Sequence, residues 1–171
     1  RGISGIGTGI NFSGQSAVST TTGDIGLTGV GGLIGLDLTG VDVSTTSGHL
    51  DLRGRGQAPG ALGLRLGAGT RIATQGGGIE LSGEGNIGAG IQTLAGSSID
   101  AGNSLVVLRA ATSGNGDAIA LGGTVHSDLG VNLRPGGVSE AGDAYERAAD
   151  EIRIGTGTGF ALSAAELARI D

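Results

Sequence analysis

Three rows of aliphatic residues recur along this chain at nearly one interval. The first row centres on Phe12, Leu38, Leu66, Leu94, Leu121 and Ile154, spaced 26, 28, 28, 27 and 33 residues apart. The second centres on Val18, Val43, Ile72, Ile99 and Val125, at spacings of 25, 29, 27 and 26. The third centres on Leu27, Leu52, Leu81, Leu108 and Leu133, at 25, 29, 27 and 25. Around each centre the sequence alternates. Ile25 and Leu27 fall on one side while Asp24, Gly26 and Thr28 fall on the other, and Leu50/Leu52, Ile79/Leu81 and Val131/Leu133 repeat the pattern. Alternation of period two is the mark of a strand with one buried face.

Three short strands cannot bury that face alone. Stacked in register about 4.8 Å apart, successive units form a continuous aliphatic column and pair their backbone groups with their neighbours. The sequence therefore predicts an all-β chain, a right-handed parallel β-helix with three faces. It predicts about six coils of 25–29 residues, with residues 1–171 forming a single segment of a longer repeat protein. The spacing excludes the left-handed form, whose period is shorter, and parallel crossovers are right-handed in general.

Composition agrees. Glycine occupies 39 of 171 positions, but neither a strict every-third pattern nor abundant proline is present, which excludes collagen. Leu, Ile, Val and Phe together supply 43 of 171 residues, more than disordered chains carry. The glycines belong at corners between faces, where tight turns and positive φ are needed. Gly14, Gly40, Gly67 and Gly96 follow first segments, and Gly23, Gly48 and Gly77 precede third ones. Pro59 and Pro135 fall just after third segments and are expected in corners. With 0 Cys, disulfides and thiolate chemistry are excluded. The net charge of −6, with every cation an arginine and the arginines scattered, argues against nucleic acid as a partner. No apolar run approaches the ~20 residues of a membrane span.

The cassettes TTTGDIGLTGVGG (residues 20–32) and TTSGHLDLRGRG (45–56), with the closing FALSAAELARID (160–171), carry a resemblance. Over roughly residues 9–171 the chain resembles the filamentous-haemagglutinin-type exoproteins of two-partner secretion. The resemblance implies a secreted bacterial surface adhesin built as a long right-handed β-helix. It implies export by an outer-membrane secretion partner and attachment to a host-cell receptor or glycan. The amino-terminal secretion domain of that family, with its Asn-Pro-Asn motif, has no counterpart in these residues. An internal rod segment is the expected role, with neither enzymatic activity nor a cofactor. An autotransporter passenger and a polysaccharide-degrading β-helix enzyme are the alternatives.

Several residues stand out against this frame. The longest departure from the repeat is the loop 135–150, whose GDAYERAAD stretch carries Tyr145, Glu146 and Arg147. It is expected to protrude, with a helical turn pairing Arg147 and Glu151, and these three residues are the candidate binding residues. Ser163 to Glu166 fits a capping box, which either covers the end of the stack or turns a corner into a further strand. Thr20, Thr21, Thr22, Thr45, Thr46 and Thr74 could form an outward hydroxyl ladder, but the row stops at Asp100-Ala101, so they read as ordinary turn and strand threonines. SGNGDAIAL (113–121) departs from the calcium-binding nonapeptide and reads as a glycine-rich corner. A hydrolytic groove would need two of Asp37, Asp42, Asp51 and Asp100 to converge. His49 and His126 lie in different rows, so no metal pair is expected. The arginines at 53, 55, 65, 71, 109 and 134 are interleaved with acids and predict a mixed surface.

Overall fold

The structure is a computed structural model that describes residues 1–146, 153–154 and 160–171. The first half of the chain forms β1 (Gly2–Ser4), β2 (Thr8–Thr20), β3 (Ile25–Gly31), β4 (Ile34–Thr45), β5 (Leu50–Gly56), β6 (Leu62–Leu66), β7 (Arg71–Thr74) and β8 (Ile79–Gly85). Then follow β9 (Ile91–Thr93), β10 (Ser98–Asp100), β11 (Val106–Thr112), β12 (Ile119–Leu121), β13 (Thr124–His126) and β14 (Val131–Val138). The remaining elements are β15 (Ala144–Glu146), β16 (Arg153–Ile154), β17 (Ala161–Leu162) and α1 (Ala164–Leu167).

These strands stack as a parallel β-helix of about five turns. The first face carries β12, β9, β6 and the leading halves of β4 and β2; the second carries β13, β10, β7 and their trailing halves. The third face runs β1-β3-β5-β8-β11-β14, all parallel. In the earliest coils β2 and β4 bend around the first corner without a break, with the register shifting between Ser13 and Ser16.

Two of the three predicted rows are columns in the structure. Val18, Val43, Ile72, Ile99 and Val125 are in register, as are Leu27, Leu52, Leu81, Leu108 and Leu133. The first row needs two corrections. Phe12, Leu38 and Leu66 align, but the next position is Thr93 and not Leu94. Thr93 is buried and its hydroxyl accepts the N–H groups of Gly122 and Gly123 at 3.1 and 3.0 Å, while Leu94 faces outward at the corner. A hydroxyl replaces a methyl group in the column because two turn amides satisfy it. Ile154 does not extend the row either: β16 pairs with β17 in a separate two-stranded parallel sheet, it is Leu162 of β17 that joins the core, and the stack comprises about five turns.

The core is almost wholly aliphatic, with Leu36, Leu38, Leu50, Leu52, Leu64, Leu66, Leu81 and Leu108 fully buried. Each such side chain contributes roughly 1.5–3 kcal/mol through burial. Glycines shape the outline in two ways. Gly14, Gly40 and Gly96 adopt positive φ, as their corner positions predicted. Gly67 does not; Gly69 supplies the left-handed residue of that corner. Gly23, Gly48 and Gly77 also lack positive φ, and the role of Gly48 and Gly77 is close packing. A Cβ on Gly48 would strike the Gly23 carbonyl, and one on Gly77 the Gly48 carbonyl. A contact as close recurs coil by coil where the third face leads into the first. There Gly29, Gly54 and Gly83 each lie against the carbonyl of Gly35, Gly63 or Gly90, with no room for a side chain.

Pro59 occupies a turn, as expected. Pro135 does not: it lies within β14 and pairs with Ala110. β14 is next to last in its sheet, and among the described residues its antiparallel partner β15 pairs with it only from Gly136 on.

The correction in the first row is testable. Leu81→Ala should lower unfolding free energy by about 2–5 kcal/mol, whereas Leu94→Ala should stay within about 0.5 kcal/mol of the parent. Urea denaturation of the two variants measures both.

Candidate functional site

The predicted loop 135–150 does not protrude in its described part. After Pro135 the chain turns through a tight hairpin: Ser139 N–H donates to Asp143 O at 2.8 Å, and Gly142 takes φ +89°. Strand β15 then returns antiparallel to β14, pairing Gly136 with Glu146, Gly137 with Tyr145 and Val138 with Ala144. This hairpin lies as a strap over the outer surface of the third face. Its tip reaches the first coil, where Gly142 abuts Thr28 and Arg1 donates to Glu140 O at 3.3 Å.

Polar contacts hold the strap. Glu84 points outward from β8 and is buried beneath it. Its Oε2 accepts the Tyr145 hydroxyl at 2.8 Å and the Val138 N–H at 3.1 Å, and lies 3.2 Å from Arg55 Nη1. Arg55 donates to Val138 O at 2.7 Å. Glu146 lies 2.7 Å from Arg134 and 3.5 Å from Arg109, and Arg109 also pairs with Glu80. Hydrogen bonding and charge from Arg134, with Arg109 assisting, hold the Glu146 carboxyl below the usual Glu range. Tyr145 and Glu146 thus anchor the strap to its own sheet. Arg147, and the expected helical pair with Glu151, lie outside the described residues.

The threonine row forms turns, as expected, and no outward ladder. Thr20, Thr45 and Thr74 are in register, but Thr45 and Thr74 are buried corner residues. Each hydroxyl accepts the N–H three residues on: Gly23 at 3.2 Å, Gly48 at 3.0 Å and Gly77 at 3.1 Å. Thr45 and Thr74 also donate to the glycine carbonyl of the preceding coil. The motif is a Thr-x-x-Gly corner, a side-chain turn repeated coil by coil. Ala101 interrupts it and Ser127 restores it, accepting Gly130 N–H at 2.9 Å.

Beside these corners the outer surface of the second face is hollowed into a groove of about 640 Å³. Its floor is small, with Ser19, Ser44 and Ala73 side by side in successive coils. Arg71 stands on one side, Thr46, Gln75 and Asn103 on the other, and Asp100 follows Ala73 in the row. Sequence reasoning missed the groove. The signal was present: serine, serine and alanine occupy one outward row, while the flanking rows carry Asp42 and Arg71 on one side and Thr46 and Gln75 on the other.

The candidate acids do not converge. Asp37 lies on the first face, where Arg65 binds it in a fork at 2.9 and 2.5 Å, and this bond raises the Arg65 pKa. Asp51 lies on the third face, paired with Arg53. Asp42 and Asp100 share the second face but stand two coils apart in different rows. The arginines at 53, 55, 109 and 134 share the third face with Asp51, Glu80 and Glu84, giving the mixed surface expected. Residues 113–118 form a corner with Asp117 exposed. Among the described residues no three His, Cys, Asp or Glu side chains are placed to hold a metal, and no helix is long and apolar enough to cross a membrane.

At the far end, Ser163 and Glu166 form the predicted capping box. The turn reading holds: after one helical turn Ile170 bridges Val125 in parallel, extending the second face. Burial opposes ionisation of Glu166, but the N–H groups of Ser163 and Leu121, the Ser163 hydroxyl and Arg169 outweigh it and lower its pKa. His126 Nδ1 lies 2.9 Å from Asp171, and that bond, with Asp100 and Asp128 nearby, raises the imidazole pKa.

No protein family, curated protein or solved structure matches the chain.

Two outcomes follow from this geometry. Glu84→Ala leaves Arg55 without its carboxylate under the strap and should cost about 3 kcal/mol, the scale for a pair broken while buried. Hydrogen exchange should show amides 138–146 opening before the core strands. The strap and the far end should also respond oppositely to pH. Because the folded Glu146 pKa is lowered, its contribution is complete above the usual Glu range and is lost as pH falls through the lowered value. Because the folded His126 pKa is raised, its contribution is complete below the ordinary His value and is lost as pH rises through the raised one. Exchange at residues 144–146 should therefore accelerate on acidification, and at 169–171 on alkalinisation.

Proposed function

We propose that this chain is a rod segment of a secreted bacterial surface adhesin and serves attachment to host cells or surfaces. The observation that supports the reading most is the stack itself. About five coils bury one aliphatic column and turn three polar faces outward, with an axial rise near 24 Å at the spacing of stacked strands. Such a body is stiff, extends by adding coils and presents side chains at regular steps along its length. That is the mechanical task of an adhesin stalk. The haemagglutinin-like cassettes at 20–32 and 45–56 and the closing 160–171 segment support the same reading. Their structural content is the Thr-x-x-Gly corner followed by a third-face strand, and the capped turn that leads back into the second face.

In this reading the full-length protein reaches the cell surface through an outer-membrane secretion partner, and each coil folds on the one before it. The absence of cysteine suits a chain that must cross an oxidising compartment unfolded. No reaction is assigned to the chain, and the dispersal of its carboxylates over three faces supports an attachment role over hydrolysis.

The test is attachment. Beads coated with the folded chain should bind cultured host cells saturably, and soluble chain should compete. Binding no greater than that of beads coated with a neutral carrier protein, from a sample whose circular dichroism is β-rich, would overturn the reading.

A further inference from the structure

We infer that the groove on the second face is a binding site for an uncharged, hydroxyl-rich saccharide, with Arg71, Gln75, Asn103, Asp100 and Ser44 as its hydrogen-bonding residues. This deepens the attachment reading and rests on it.

The first support is geometric. Ala73 is a buried floor residue with polar neighbours on every side. Arg71 precedes it by two on the same strand, about 6.6 Å away, and Gln75 follows it into the corner. Ser44 and Asp100 flank it in the coils below and above, each about 4.8 Å off in the stacking direction. A small floor ringed by a guanidinium, an amide, a hydroxyl and a carboxylate offers donors and acceptors facing one space. The volume of about 640 Å³ lies within the range of sites for small ligands.

The second support is that these groups are largely uncommitted: Asp100 accepts the Gly102 N–H at 3.0 Å through one oxygen, and its other oxygen makes no hydrogen bond among the described residues. Arg1, Arg53, Arg55, Arg65, Arg109, Arg134 and Arg169 each donate at least one hydrogen bond within the protein. Arg71 donates none among the described residues, and its nearest carboxylate, Asp42, is 4.0 Å away. The Thr20, Thr45 and Thr74 hydroxyls that border the groove are spent on their corners, which makes the wall rigid and leaves Arg71, Ser44, Gln75 and Asn103 to meet a ligand.

Charge selects the ligand class. Arg71 lies 4.0 Å from Asp42, and Asp100 lines the same groove on a chain of net charge −6, so an anionic glycan meets repulsion. A neutral polyol satisfies both signs: its hydroxyls donate to Asp100 and accept from Arg71. No aromatic ring lines the groove to stack on a sugar face, so affinity per site is weak and attachment relies on many copies.

The test titrates the isotopically labelled chain with hexaoses of β-linked glucose, galactose and mannose, beside a uronate hexaose and a heparin hexasaccharide. At least one neutral hexaose should shift the amides of Ser44, Ala73, Gln75 and Gly102 saturably, with an affinity unchanged between low and high salt. Arg71→Gln and Ala73→Leu should each weaken it about tenfold or more while the melting temperature holds. Gln75→Ala, at an exposed corner, guards against a folding artefact and should also weaken binding. The inference is overturned if no neutral hexaose shifts these amides, if only the anionic probes do so in a salt-sensitive way, or if the variants bind undiminished. Cell attachment that survives Arg71→Gln sinks the groove and leaves the attachment reading standing. Saccharide binding lost in Arg71→Gln, without any cell attachment by the parent chain, does the reverse.

Discussion

Where the third face leads into the first, two stretches of backbone touch with no side chain between them. Gly29, Gly54 and Gly83 lie against the carbonyls of Gly35, Gly63 and Gly90, and a methyl group at any of these positions would overlap main-chain atoms. The contact narrows the interior at one apex and sets how far the two faces splay. That distance decides which side chains fill the remaining space. Leucine, isoleucine and valine do so, and the aromatic content of 2% is a consequence of the same narrowing. Glycine loses more backbone freedom on folding than any other residue. Using it so heavily is tolerable only because each coil then lies flat on the next and closes its hydrogen-bond ladder.

Much of this was legible in sequence. The second and third rows of Val18 and Leu27 could be read to the residue, because a strand of period two that slips by one residue exchanges its buried and exposed sides. The first row slipped at Leu94 for a specific reason. Thr93 sits in the column through hydrogen bonds from Gly122 and Gly123, residues nearly thirty positions away, and local pattern carries no trace of them. The Thr-x-x-Gly corners were visible as repeated letters and read as turn and strand threonines, but the glycine amide that each hydroxyl accepts was not legible.

The candidate site was less legible still. Tyr145 and Glu146 stood out by composition, yet their partners Glu84, Arg109 and Arg134 come from three other positions in the chain. The chain's alternation marked Glu84 as a solvent-facing residue of β8, and burial came from a hairpin more than fifty residues downstream. The groove escaped notice because it is defined by what is small. Ser44 and Ala73 carry no chemical signature, and only their alignment beneath Arg71 and beside Asp100 gives the depression its character. Outward rows in a solenoid are read along the axis, whereas sequence is read across it.

The strap alters the mechanical character of the stack. A column whose coils meet only their neighbours behaves like links in series, so tension at one end passes through every interface and the weakest opens first. The 136–146 hairpin adds a second path for load, from the fifth coil through Glu84 and Arg55 to Thr28 and Arg1 near the first. Along that side the coils are loaded in parallel, as in a bundle bound by a tie. Peeling from the first coil must break the tie before the individual links can fail one at a time.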